Sequence, residues 1–172
     1  MVDANTCDFI CDNNLSDLVT KLINKNIISL WITQVQKDQL DTIPDSKKQK
    51  KQCVQELKLN FTPTAIVSLS EPEQEKGGYK APMVGQVLAA SDEDDKIFNE
   101  LLSTKKNQSQ RIRGDLGIVF TAFKKDIAFL VSEDSDIKQF YNELKKKTNT
   151  KLQLLNNSDF ALLLTNLSTH ES

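Results

Sequence analysis

One short segment limits the fold more than any other. Ile127–Val131 is a continuous apolar run, bounded by Lys124-Lys125-Asp126 before it and Ser132-Glu133-Asp134 after it. A run of this length without a polar alternation predicts a strand covered on both faces. The neighbouring sequence offers the cover. Asp115–Phe123 is almost wholly apolar (Leu116, Ile118, Val119, Phe120, Ala122) and predicts a helix. Ile137–Leu144 predicts another, ending in Lys145-Lys146-Lys147, where cations meet the negative end of the helix dipole. Leu152–Leu155 is a second short strand, and Ser158-Asp159 cap a last helix that runs through Leu167. Helix, buried strand, helix, strand, helix at this spacing predicts a parallel sheet flanked by helices.

The first half is compatible with the same plan. Phe9, Ile10, Leu15, Leu18, Val19, Leu22 and Ile23 follow a helical period, with Asp17 and Lys21 as an i,i+4 ion pair on the opposite face. Ile27–Ile32 is a short β-type run, and Thr33 is placed to cap a following helix. Ser46–Leu59 reads as a lysine-rich surface helix with Val54 and Leu57 as its apolar contacts, and Asp92–Leu102 returns to helical spacing. Between them, Pro63, Pro72, Gly77-Gly78 and Pro82 break the pattern. The expectation is one α/β domain over residues 1–172, a three-layer α/β/α arrangement around a central parallel sheet of four to five strands. An irregular insertion lies around residues 61–90.

Composition narrows the partners. Twenty-two Lys and Arg against 24 Asp and Glu leave a net charge of −2. That balance argues against coating nucleic acid by bulk charge, though a local cluster can still bind it. No apolar run approaches the roughly 20 residues of a membrane span, and Met1-Val2-Asp3 is unlike a signal peptide. A cytoplasmic protein is expected. The cysteines are odd in number (Cys7, Cys11, Cys53) and the single histidine is His170, so they read as free thiols rather than a metal set.

Functional residues in open α/β sheets gather at the carboxyl ends of strands. Asp3, Asp38, Asp115 and Asp134 each fall near a predicted strand end or helix start. A single aspartate there is an ordinary helix cap; four in matching positions suggest a shared site. The segments Asp3-Ala4-Asn5, Val35-Gln36-Lys37-Asp38, Asp115-Leu116-Gly117-Ile118 and Ser132-Glu133-Asp134 together resemble, in order and separation, the acidic motifs of the PIN domains. The family usually has Glu at the second position, where this chain has Asp38, with Asp41 as a rival three residues on. The length is similar to that of VapC-like members, which include toxins of toxin–antitoxin pairs.

The resemblance implies an endoribonuclease that cleaves single-stranded RNA with Mg²⁺ or Mn²⁺. Carboxylates crowded together repel, and a hard divalent cation relieves the repulsion while keeping waters of its own. Asp3, Asp115 and Asp134 would be the metal ligands, with Asp136 a further ligand or an ordinary first-turn acid. Asp38 or Asp41 would complete the site or orient a water, and Asn5 and Ser132 would support the carboxylates. Arg111 and Arg113, the only arginines, precede Asp115 and are placed to grip a phosphate, or form a solvated loop pair. Lys47, Lys48, Lys50 and Lys51 read as a soluble helix face, alternatively as a track for a nucleic-acid backbone. Trp31, Phe61 and Tyr79 are candidates for base stacking, although Trp31 sits in an apolar run that suits a core. The family also implies an antitoxin protein and a homodimer as partners. Two other functions compete: a catalytically inactive module that binds RNA or protein, and a phosphatase or nuclease of another α/β family.

Overall fold

A computed structural model of the chain describes residues 1–62, 91–106 and 109–169. The expected insertion, beyond Phe61 and Thr62, lies outside the described residues, as do Tyr79 and His170.

The chain opens with an extended Met1–Asp3 and enters α1 (Ala4–Asp12) and α2 (Ser16–Asn24). Asn14 (φ 55°) and Asn26 (φ 58°) stop these helices in the left-handed region, which Asn tolerates better than most side chains. Strand β1 (Trp31–Thr33) runs straight into α3 (Gln34–Asp41), and a 3-10 turn (Asp45–Lys47) precedes α4 (Lys48–Glu56) and β2 (Asn60–Thr62). The second half holds α5 (Asp92–Ser103), α6 (Gln110–Lys124), β3 (Phe129–Val131), α7 (Ser135–Lys147), β4 (Gln153–Leu155) and α8 (Asn157–Thr169). Ser91 opens α5 reciprocally: its Oγ accepts the Asp94 amide, and the Asp94 carboxylate accepts the Ser91 amide, each at 3.2 Å. Asp126 (φ 51°) makes the turn between α6 and β3.

The expected central sheet of four to five strands is not what forms. Among the described residues there are two separate two-stranded parallel sheets, β1 with β2 and β3 with β4, and every strand is three residues long. Their registers pair Ile32 with Phe61 and Leu130 with Leu154. The reason lies in how the apolar residues are spent. Ile127 and Ala128 lead up to a strand that begins only at Phe129, and the long apolar stretches are in helices, so helix makes up most of the fold. Parallel pairing itself requires a crossover of a dozen or so residues, and α7 provides it between β3 and β4. Met1–Asp3 touches both pairs: the Val2 amide donates to the Trp31 carbonyl and the Asp3 amide to the Val131 carbonyl, each at 3.0 Å.

Successive residues of an extended chain point to opposite faces, and here they enter two different cores. Met1 and Leu130 join Phe98, Leu101, Leu116, Phe120, Phe140 and Leu144 from α5, α6 and α7. Val2 and Val131 join Cys7, Ile10, Val19, Leu22, Phe160 and Leu164 from α1, α2 and α8. Each large side chain buried this way contributes about 1.5–3 kcal/mol, so the strands are held by helices on the two clusters more than by their short ladders.

The cysteines also differ from expectation. Cys11 and Cys53 form a disulfide between α1 and α4 with a Cα separation of 6.0 Å, while Cys7 is a buried thiol. The odd count therefore reflects one pair and one core residue. Burial pushes the Cys7 thiol up to about 12, so it stays neutral in the core. No helix among the described residues is long and apolar enough to cross a membrane.

Candidate functional site

Asp3, Asp115 and Asp134 line one cleft of about 400 Å³, together with Ala4, Asn5, Asp8, Gln39, Leu40, Ile43 and Arg111. Asp3 arrives because Met1–Asp3 runs alongside β3 and then starts α1. Asp134 arrives because β3 ends at Val131, three residues earlier. Asp115 comes from α6, whose close approach to α3 depends on Gly114: a Cβ there would sit 3.3 Å from Val35 Cγ1.

The three acids have unequal surroundings. Asp134 is the N-cap of α7, and its Oδ1 accepts the amides of Asp136 (2.7 Å) and Ile137 (3.3 Å). Arg111 Nη2 donates to its Oδ2 at 3.1 Å. Asp3 is buried; Ser132 Oγ donates to its Oδ2 at 2.8 Å and accepts the Asp134 amide at 3.0 Å, tying the two acids together. Burial raises the Asp3 carboxyl above its ordinary value; the Ser132 hydroxyl and the Ala4 amide oppose this, and the Asp134 charge reinforces it.

Asp115 is the exception. The sequence suggested that it opens a helix, but α6 begins at Gln110, with the Ser109 Oγ accepting the Ile112 amide. Asp115 therefore lies inside the helix, away from the unpaired amides of its first turn. It is 7% exposed, and among the described residues its buried Oδ2 has no hydrogen-bond donor. Arg111 Nε is 3.9 Å from that oxygen, near enough for attraction but not for a hydrogen bond. Burial, then the Asp134 charge, push the Asp115 carboxyl up to about 7, with Arg111 opposing and Asp136 and Asp3 adding to the rise.

Carboxylate oxygens of Asp115, Asp134 and Asp136 all lie within 4.8 Å of one another. This is an all-oxygen donor set of the kind hard divalent cations take. The orphaned Oδ2 of Asp115 is the independent sign that the set fits such an ion, since a buried carboxylate oxygen without a donor is costly unless a cation serves it. Asp136 has a second engagement: Lys105 Nζ reaches its Oδ1 and Gln139 Oε1.

Other residues singled out in the sequence fall elsewhere. Asp38 is exposed and accepts from Gln34 Nε2; Asp41 is exposed and pairs with Lys37 at 3.1 Å. Neither lines the cleft, because α3 turns Gln36 and Leu40 inward, four residues apart, and so carries 37, 38 and 41 on its outer side. On this side the described lining is Gln39 and Leu40 of α3 and Ile43 just beyond it, none of them an acid. Gln36 works in the backbone instead, accepting the Thr33 amide and donating to the Val2 carbonyl. Asn5 lines the cleft, and its backbone amide acts on Asp3. Half-buried Arg113 does not line it. In the lysine run, Lys50 pairs with Asp8 (2.9 Å) and Asp12 (3.4 Å), and Lys51 with Asp45 (2.7 Å). Trp31 packs against the first core, while Phe61 is 46% exposed.

Asp8 and Lys105 escaped the sequence reading. Asp8 stands one helical turn after Asn5, a spacing that puts both on one face of α1. Lys105 lies in a polar segment with no period to mark it. Compared with known proteins, the chain matches no family model, no curated protein and no solved structure.

Proposed function

We propose that the cleft binds Mg²⁺ or Mn²⁺ and hydrolyses phosphodiester bonds of single-stranded RNA. The observation that carries this is the buried, donorless Oδ2 of Asp115 beside the carboxylates of Asp134 and Asp136. Three of the four acidic motifs that resemble PIN domains, those of Asp3, Asp115 and Asp134, meet in the cleft and support it. Asp115, Asp134 and Asp136 would hold the ion, with Asp3 adjoining them. A bound divalent cation supplies a water of lowered pKa and charge neutralisation at phosphorus.

The chain's own residues do the rest. Ser132 holds Asp3 and the Asp134 amide in one arrangement, which fixes the spacing of two acids. The Asp136 and Ile137 amides fix the Asp134 carboxylate at the α7 N-terminus. Arg111 is the cation on the cleft wall and is positioned to meet a phosphate. A toxin role, an antitoxin partner, a homodimer and a cytoplasmic location belong to the same proposal. A disulfide in that compartment would have to withstand a reducing thiol pool.

A second reading, an inactive RNA- or protein-binding module, is favoured by the position of Asp38 and Asp41 outside the cleft. One assay separates the two. Full-length protein is incubated with labelled single-stranded RNA and Mg²⁺, Mn²⁺ or chelator, alongside Asp115→Asn. Cation-dependent cleavage that the variant loses supports the nuclease. RNA binding without cleavage at any cation concentration supports the module. Cleavage by Asp115→Asn at the wild-type rate removes the proposed centre.

A further inference from the structure

We propose that Arg111 is an exchangeable counterion. Its guanidinium holds Asp134 and faces Asp115 until a divalent cation takes those oxygens, and the displaced guanidinium then binds a phosphate of the substrate. This rests on the cation-binding proposal above and goes beyond it by coupling two ligands through one side chain.

The geometry of the contact is that of a loose hold. Arg111 makes one hydrogen bond to Asp134 Oδ2 at 3.1 Å, and its second approach, Nε to Asp115 Oδ2 at 3.9 Å, is too long to be another. A guanidinium clamps a carboxylate best by two parallel bonds to the same group, and here it reaches two different acids and satisfies one. Among the described residues the Asp115 oxygen has no donor, and Arg111, the one positive side chain among those lining the cleft, stands beside it. A divalent ion can be shared by several carboxylate oxygens at once and carries twice the charge.

The side chain is also able to leave. Arg111 is 71% exposed, and its backbone is anchored in α6 one turn before Asp115. Lys105 makes the contrast. It is 17% exposed, bonded to both Asp136 and Gln139, and lies 5.5 Å from the Phe140 ring centroid. Lys105 is a fixed neighbour of the acids and Arg111 a removable one. Once displaced, Arg111 remains on the wall of the same cleft, where a fork of N–H donors matches a phosphate. Linkage makes the effect reciprocal: if cation binding frees Arg111 for phosphate, phosphate binding raises cation affinity by the same factor.

The test uses the full-length oxidised protein as wild type, Arg111→Gln and Arg111→Lys. Mn²⁺ binding is followed by calorimetry, and a fluorescein-labelled single-stranded 2′-O-methyl oligoribonucleotide is followed by anisotropy with and without Mn²⁺. Removing an exposed counterion from the acids should tighten Mn²⁺ binding about two- to fivefold in Arg111→Gln. Arg111→Lys should stay near wild type. Mn²⁺ should tighten oligonucleotide binding by the wild type and lose most of that effect in Arg111→Gln. Equal or weaker Mn²⁺ binding by Arg111→Gln overturns the exchange, and an undiminished Mn²⁺ effect on its oligonucleotide binding overturns the phosphate step. Absence of Mn²⁺ binding in all three proteins overturns the exchange together with the cation site beneath it, an outcome distinct from binding that ignores Arg111.

Discussion

Asp115→Asn should make the protein more stable at neutral and alkaline pH, and less dependent on pH, when divalent cations are chelated. Asp115 has an ordinary carboxyl value of 3.8 and a folded value of about 7, raised first by burial and then by the Asp134 charge. Between those values the unfolded chain has already released this proton and the folded chain still holds it. Stability therefore falls as pH rises through that window, and the loss is complete once pH passes the folded value. At about 1.4 kcal/mol per unit, the fold gives up about 2–3 kcal/mol from this group between about pH 5 and about pH 8. Asparagine keeps the shape, carries no charge to titrate, and brings an amide N–H toward the neighbouring carboxylates. For a chain of this size the divergence amounts to about 5–10 °C in melting temperature at the alkaline end. Urea denaturation of both proteins across that range, with chelator and an intact disulfide, measures it. Two stability curves that run parallel between pH 5 and pH 8 would refute the reasoning, because they would mean that no buried carboxylate titrates at this position.

Three further outcomes follow from other parts of the structure. Cys53→Ser, or reduction of the wild type, removes a cross-link spanning 42 residues of sequence. Chain-entropy arguments put that loss at about 4 kcal/mol, and an unchanged urea midpoint after thiol treatment would show that the pair does not form. Ser132→Ala strips the hydroxyl that serves both Asp3 and the Asp134 amide. It should cost about 1–3 kcal/mol and weaken Mn²⁺ binding tenfold or more, the second effect read by calorimetry. Phe120→Ala opens a cavity where the ring meets Phe98 edge-on at 5.5 Å, and a loss of about 3–5 kcal/mol in chemical denaturation is expected.

Local pattern carried well where one physical cause dominated. The apolar stretch after Asp115, the turn at Asp126 and the lysine-ended helix each depend on neighbours within a few residues, and they appear as α6, the left-handed Asp126 and α7. Leu152–Leu155 shows as β4, one residue shorter. The extent of the sheet was not legible in the same way. Strand pairing depends on residues far apart, and an apolar run says that a segment is covered without saying how many partners it has. The Cys11–Cys53 bond is non-local for the same reason. The placement of Asp38 was lost to phase, since a rotation of about 100° per residue separates a helix position that faces the cleft from one that faces water. Asp8 had the correct phase, but nothing in the pattern distinguished it from an ordinary surface acid.

What separates Asp115 from its two companions is the backbone beneath each side chain. Asp134 sits at a helix N-terminus and Asp3 immediately before one, where unpaired amides favour a negative charge. Asp115 sits in the second turn of α6, where the amides are spent on the helix itself, and the lining residue nearest to compensating it is an exposed arginine at 3.9 Å. The same aspartate type thus stands over free helix amides at two positions and over a spent helix backbone at the third, where burial and the Asp134 charge push the carboxyl up to about 7. A divalent cation would give the Asp115 Oδ2 the partner that the helix backbone withholds, so its largest gain would come from that acid. That asymmetry orders the variants: substitution of Asp115 should cost more cation affinity than substitution of Asp3 or Asp134. Calorimetry of Asp3→Asn, Asp115→Asn and Asp134→Asn with Mn²⁺ ranks them, and a ranking led by Asp3 or Asp134 would show that the backbone does not set the order.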